Sequence, residues 1–398
     1  MPTTRTYSLP KDSKAWQQAV DSVASLLPNG TNVQDFDALE SLPVFALIVV
    51  LPAHIPALDI QHYIQSWVDE QPNWHLVTVA EDDSASAVNI ELTHGAVTTP
   101  PMSVQPFVPA QVFRYLLVPV TETLMHPAKK TAAAHIIDDQ LTTRLRQDLA
   151  THYSDTQTSD HNASARLNVV DCHILSVGHM LRSHKLACFD MDSTLIEQEV
   201  IVELAKTAGI GDEVERITES AMRGEIDFDE SFVQRVALLK GIPTTVLDEV
   251  CASLTLSMGA RTTIRALKSL GYHTVLVSGG FTYFANYIAE QLGIDEVHAN
   301  NLDIEDGEVT GHVQLPIING NKKAAIVAHT AGRLGIEMSQ VVCIGDGAND
   351  LPMMALADLG VAYHAKPIVQ ARADAAINVT GLEGVLYTLG YPALSTTK

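Results

Sequence analysis

Two aspartates, Asp190 and Asp192, stand two residues apart in "KLACFDMDSTLIEQE" (185–199), directly after the apolar run Leu186–Phe189. A second apolar run delivers Asp346 in "VVCIGDGAND" (341–350), and a third, "HTVLVSGGF" (273–281), reaches Ser278 and two glycines. Carboxylates are hard oxygen donors, and Mg²⁺ takes such ligands together with phosphate oxygens and water. A lone Asp-x-Asp is ordinary turn chemistry. Three strand-like runs that each finish on a polar group point further, because parallel strands bring such ends to one edge. Asp190 and Asp346 are therefore read as ligands of one divalent cation. That ion would also let a phosphate dianion approach an acidic pocket.

The elements that must position these residues alternate regularly from about Lys185. The strand-like runs "KLACFD", "HTVLVS", "VVCIGD", "DLGVAY" and "AAINV" are separated by helical segments, the pattern of an α/β fold with a parallel sheet. The helical block from Val200 to about Leu270 is too long for one crossover and reads as an inserted cap, at about 200–270. Before it, "VFALIVVLP" and "HLVTVA" read as strands flanking an amphipathic helix, "ALDIQHYIQSWVDE". "FRYLLVPV" and "ARLNVVDCHIL" read as further strands, with a helix between Thr131 and about Tyr153. The expected organisation is an α+β N-terminal domain over 1–180 and a catalytic α/β domain over 181–398. Polar or Pro-rich stretches at 28–37, 98–109 and 154–165 punctuate the first of these.

Composition narrows the function. The chain has 398 residues, 47 Asp+Glu against 25 Lys+Arg and a formal charge of −22, which argues against sequence-independent binding of nucleic acid or anionic membranes. Cys172, Cys188, Cys251 and Cys343 are scattered without a CxxC and suit a reducing compartment. The start lacks the apolar core of a signal peptide and no run reaches membrane-span length, so a cytoplasmic location is expected. The 16 histidines form no HExxH, and neither a Walker A sequence, a GxGxxG fingerprint nor a GxSxG elbow occurs.

"DMDSTL", "SGG", a later lysine and "GDGANDLPM" together resemble the four signature motifs of the haloacid dehalogenase (HAD) superfamily. The segment "ESAMRGEIDFDESFVQRVALLKG" is similar to the cap of its phosphoserine phosphatase family, and Glu199 stands at that family's spacing. The resemblance covers roughly 185–398. It implies a Rossmann-like core with a helical cap, Mg²⁺, and hydrolysis of O-phospho-L-serine to serine and phosphate, the last step of serine biosynthesis. It further implies Asp190 as nucleophile and metal ligand, Asp192 as general acid–base and (through its carbonyl) metal ligand, and Asp346 as another ligand. Asn349 and Asp350 would steady the metal and phosphate surroundings. Ser278 and the Gly279 amide would hold phosphate, together with one lysine of the pair Lys322 and Lys323. The helical pattern after them favours Lys322. Glu199 would pair with the substrate ammonium, Arg235 with its carboxylate, and Phe228 would cover the site.

Related chemistries are separable. Dehalogenase members lack an acid at the position of Asp192, and the "DKTGT" of transport ATPases is absent. Two alternatives stay open: a phosphatase for another small phosphorylated metabolite, and a serine-sensing regulator with an N-terminal region that is ACT-like. A homodimer is an expectation from the resemblance alone.

Overall fold

The structure is a computed structural model that describes residues 14–26, 44–57, 59–71, 74–79, 102–104, 107–119, 139–154, 169–223 and 225–393. The stretch 28–37 and most of 98–106 and 154–165 lie outside these residues, as do the first eight positions of the helical run expected from Thr131. The contacts divide the described chain into two compact units, one of 14–79, 107–183 and 374–393, the other of 102–104 and 184–373. Among the described residues, no helix is long and apolar enough to cross a membrane.

The first unit opens with α1 (Lys14–Leu26) and then builds a sheet from β1 (Phe45–Pro52), β2 (Trp74–Val79), β4 (Ala110–Pro119) and β5 (Asp171–Ser176). The two-residue β3 (Ser103–Val104) belongs to the other unit. Helix α2 (Ile60–Asp69) links β1 to β2 and α3 (Asp139–Ser154) links β4 to β5. The strand order β2-β4-β1-β5 with antiparallel neighbours is a βαββαβ, ferredoxin-like arrangement. Strand alternation explains the core: Leu47, Val49 and Leu51 on β1 share one face and meet Ile60, Ile64 and Val68 of α2 and Leu145 and Leu149 of α3. The short helix α4 (Val177–Leu181), capped by the Ser176 hydroxyl, follows β5.

The second unit carries the chemistry. Its parallel strands run in the order β13-β12-β6-β8-β9, where β6 is Leu186–Phe189, β8 His273–Phe281, β9 Glu296–Asn300, β12 Val341–Gly345 and β13 Leu359–Tyr363. β6 lies at the centre, with Phe189 beside Ile344 on one flank and Leu276 on the other. Every residue of β6, β12 and β13 is buried, as expected for parallel strands covered on both faces. The helices α10 (Thr282–Leu292), α11 (Gly320–Leu334) and α12 (Leu351–Leu356) belong to this layer. The sequence reading missed β9, because "EVHAN" is a half-buried edge strand with little apolar content.

The cap comprises α5 (Val200–Thr207), α6 (Gly211–Met222), α7 (Phe228–Leu238) and α8 (Thr244–Ser253). Its base is sewn shut where Glu197 N–H donates to Thr255 O and Ser257 N–H to Leu195 O, 3.0 and 2.9 Å, at β7 (Thr255–Leu256). A hairpin of β10 (Leu302–Glu305) and β11 (Glu308–Val313) joins the cap through Gly241 N–H to Val309 O and Val309 N–H to Ile242 O. The helix α9 (Ala260–Ser269) instead packs on β8 and α10. The helical cap is therefore shorter than 200–270, since periodicity alone cannot tell a cap helix from a sheet-covering one.

Candidate active site

Three adjacent strands, β12, β6 and β8, deliver the site. Asp190 follows β6 directly, and its N–H donates to Ile344 O of β12 at 2.9 Å. The chain then turns: Met191 O accepts from the N–H groups of Thr194, Leu195 and Ile196, and Ser193 takes a left-handed φ of 54°. The chain between the two acids is thus a tight loop, which still holds both at the site. Asp190 Oδ1 accepts from Met191 N–H and from Lys323 Nζ, both at 2.7 Å. Asp192 Oδ1 accepts from the N–H of Val200, the first residue of cap helix α5, at 3.1 Å.

The lysine that lies among the acids is Lys323, not Lys322. Lys323 is fully buried and bridges Asp190 and Asp350, each at 2.7 Å, whereas Lys322 is exposed and offers its backbone N–H to the Asn319 side chain. Neighbouring helix positions point about 100° apart, so only one of the pair can face the sheet. The buried stripe of α11 is Lys323, Val327, Thr330 and Ala331. Stepping back from Val327 and Ala331 finds Lys323, whereas the Lys322 row runs into His329 and Arg333. That row was the signal overlooked.

After β12, Asp346 accepts from the Thr194 hydroxyl at 3.3 Å, and Asp350 accepts from the N–H of Gly347 at 3.0 Å. Asp350 is fully buried. Gly345 must be glycine, because a Cβ there would lie 2.4 Å from Asp350 Oδ2. One carboxylate oxygen each from Asp190, Asp346 and Asp350 lies within 4.8 Å of the others. Asp350, read from the sequence as surroundings, thus joins the cluster itself. Asn349 sits half-buried in the same loop.

Ser278 is buried and its Oγ accepts from Gly280 N–H at 2.8 Å. The strand continues to Phe281 with a register shift, and α10 starts at once, so the Gly279 segment lies at a helix start. From the cap, the ring of Phe228 rests over Gly279, where an added Cβ would meet it at 3.4 Å. Phe228 stacks on Phe232, and Phe232 packs on Phe281. Arg235, one helical turn further along α7, is half-buried and in the field of Glu199 and Asp192. Glu199 is exposed, with the Ser193 hydroxyl donating to it at 3.0 Å.

The electrostatics are those of an acid cluster short of positive charge. Burial, then Asp350, push Asp190 well above the usual carboxylate range against the pull of Lys323. Burial and Glu199 push Asp192 up to about 8, and burial and Asp350 push Asp346 up to about 7. Burial disfavours the Lys323 ammonium, but Asp190 and Asp350 outweigh it and hold the lysine raised. At this spacing each pair of ionised acids repels by about 3 kcal/mol at an effective dielectric near 20. One ammonium cannot offset three such carboxylates. The all-oxygen donor set and its crowding fit a hard divalent cation bound by Asp190, Asp346 and Asp350.

The core is a parallel sheet whose central strand ends on an aspartate, under a helical cap. Residues 184–358 match the haloacid dehalogenase-like hydrolase family. Over 240 residues the chain is 45% identical to the probable phosphoserine phosphatase of Schizosaccharomyces pombe, covering 60% of this chain and 80% of that one. The chain belongs to the haloacid dehalogenase-like hydrolases. More particularly, it is 48% identical over 221 residues to the phosphoserine phosphatase of Streptomyces coelicolor, covering 56% of this chain and 54% of that protein, so it spans little more than half of that relative's length. The solved structure of the unliganded probable phosphoserine phosphatase from Vibrio cholerae superposes with a TM-score of 0.58 at 28% identity, covering 93% of each chain.

Proposed function

We propose that the protein is a Mg²⁺-dependent phosphoserine phosphatase, hydrolysing O-phospho-L-serine through an aspartyl-phosphate. The observation that carries this reading is the meeting of Asp190, Asp346 and Asp350 around Lys323, beneath a cap that presents Arg235 and Phe228. The relatives' names and the cap segment together select phosphoserine from other phosphate esters.

Asp190 is the nucleophile. Among the described residues its hydrogen bonds all fall on Oδ1, which leaves Oδ2 to attack phosphorus. The new O–P bond forms as the bond from phosphorus to the serine oxygen breaks. Asp192, held protonated by burial and Glu199, gives its proton to that leaving oxygen. In the second half it takes a proton from water, whose oxygen attacks the aspartyl-phosphate, releasing phosphate and restoring Asp190. Lys323, the Ser278 hydroxyl and the Gly279 amide hold the phosphoryl oxygens; Glu199 and Arg235 take the ammonium and carboxylate of the substrate. Mg²⁺, held by Asp190, Asp346, Asp350 and the Asp192 carbonyl, would supply charge neutralisation at the transferring phosphoryl group. Phosphate release from O-phospho-L-serine, with and without Mg²⁺ and in the Asp190→Asn variant, tests the reading. Turnover that survives that substitution overturns it.

One observation favours a regulatory role in addition. The ferredoxin-like unit carries a cavity of about 880 Å³ lined in part by Asp59, His62, Arg114 and Tyr115. An amino-acid effector with both charges suits that lining. Calorimetric titration of L-serine into the full chain, its active site filled by a non-hydrolysable phosphoserine analogue, tests this, and absence of heat removes it.

A further inference from the structure

Asn319 faces two ways. It is the N-cap of α11, its Oδ1 accepting from Lys322 N–H at 3.1 Å, so it fixes the first turn of the helix that carries Lys323. Its Nδ2 reaches into the cap and donates to both carboxylate oxygens of Asp229, at 3.0 and 3.3 Å. Asp229 lies in the first turn of α7, between Phe228, which covers Gly279, and the turns that carry Phe232 and Arg235. The backbone at Asn319 is itself anchored to the phosphate-side loop. Buried Asn300 donates to Gly279 O and accepts from Ile318 N–H, both at 2.8 Å.

These contacts join the cap, the Gly279 loop and the Lys323 helix through two side chains, Asn319 and Asn300. Among the described residues the pair is also a direct side-chain hydrogen bond between α7 and the sheet-covering layer. A bond to a charged acceptor is worth more than a neutral one, yet is weak enough to open on each turnover.

We propose that Asn319 and Asp229 form the latch of the closed cap, and that Asn319 is a positioning residue which couples closure to the placement of Lys323. This rests on the phosphatase reading above for its kinetic consequence, and on geometry alone for the latch.

The test exploits the two faces of the side chain. Asn319→Asp keeps an equally good N-cap for α11 but sets a carboxylate against Asp229. Adding Asp229→Asn rebuilds the pair with donor and acceptor exchanged. Asp229→Ala removes the acceptor and leaves Asn319 and the Asp227 cap of α7 in place. Asn319→Asp and Asp229→Ala are expected to lower kcat/KM for phosphoserine about tenfold and to speed hydrogen exchange of the α7 amides. The double variant is expected to recover most of both losses. Failure of the double variant to recover, or unchanged exchange in both single variants, overturns the latch. So does a loss of activity matched by a fall in thermal midpoint that the double variant shares. Exchange needs no substrate: the expected exchange pattern in a wild-type chain that does not hydrolyse phosphoserine supports the latch and overturns the substrate reading instead.

Discussion

Asp171 and Asp190 are both buried aspartates at strand ends, 1% and 5% exposed, one in each unit, and their surroundings are opposite. Asp171 is ringed by donors: Asn378 N–H and Val379 N–H on Oδ2 at 2.8 and 3.0 Å, Asn378 Nδ2 and Arg146 on Oδ1 at 3.1 and 3.4 Å. It pins the returning C-terminal segment to β5. Asp190 has two donors and three acids, Asp192, Asp346 and Asp350, around it. A buried carboxylate surrounded by donors is a staple, because its charge is satisfied within the fold. One surrounded by other carboxylates is left unsatisfied by the fold, and a proton or an outside cation must complete it. Burial alone does not distinguish them; the sign of the neighbours does.

The sharpest way to break this contrast is to remove each charge. Asp190→Asn is expected to cut phosphate release by roughly 10⁴-fold or more while the thermal midpoint in EDTA holds or rises, since one of the crowded acids is gone. A large fall in midpoint would make Asp190 a staple too. Asp171→Ala should do the reverse. It is expected to cost about 2–4 kcal/mol of stability in urea titrations, with kcat/KM of the folded fraction unchanged. Loss of turnover without loss of stability would reverse the assignment.

Arg235→Ala probes the selectivity face. The KM for phosphoserine is expected to rise roughly 10- to 100-fold, and that for p-nitrophenyl phosphate far less, since this ester has no carboxylate to grip. Equal losses on both substrates would deny Arg235 that role.

The smallest expected effect is on pH. Folding raises Asp190, Asp192 and Asp346 above the ordinary 3.8, so in EDTA the folded chain holds protons that the unfolded chain has lost. Their contribution is complete below that ordinary value and is lost as pH rises toward about 7 for Asp346 and about 8 for Asp192. The midpoint in EDTA should therefore fall between these limits, and Mg²⁺ should raise it more at the alkaline end. A midpoint that climbs with pH in EDTA would contradict the crowding, and Asp346→Asn should flatten the slope.

Much of the site was legible beforehand because it lies where apolar runs stop. β6 and β12 are short, apolar and sharply ended, and β8 is apolar from Val275 up to Ser278, so Asp190, Ser278 and Asp346 could be assigned to one sheet edge. Features set by rotation or docking were not. Lys322 and Lys323 differ by a 100° turn that only the packing of α11 resolves. The spacing of Asp190 and Asp192 does not show the tight loop between them, which the bonds to Met191 O coil. α9 looks like its cap neighbours until β8 and α10 are seen beneath it.

The residue types and their order along the chain determined the chemistry: hard oxygen donors at strand ends, glycines beside them, and a cap segment carrying an arginine and an aromatic ring. Those are local properties, and each is written in a few consecutive letters. Tertiary structure decided which donors share one point in space. Sheet order set β12 and β8 on either side of β6, helix rotation turned Lys323 inward, and the docking of the cap brought Asp229 to Asn319. The physical reason is that a carboxylate's protonation and a lysine's role depend on neighbours within a few ångströms, and those neighbours come from segments far apart along the chain.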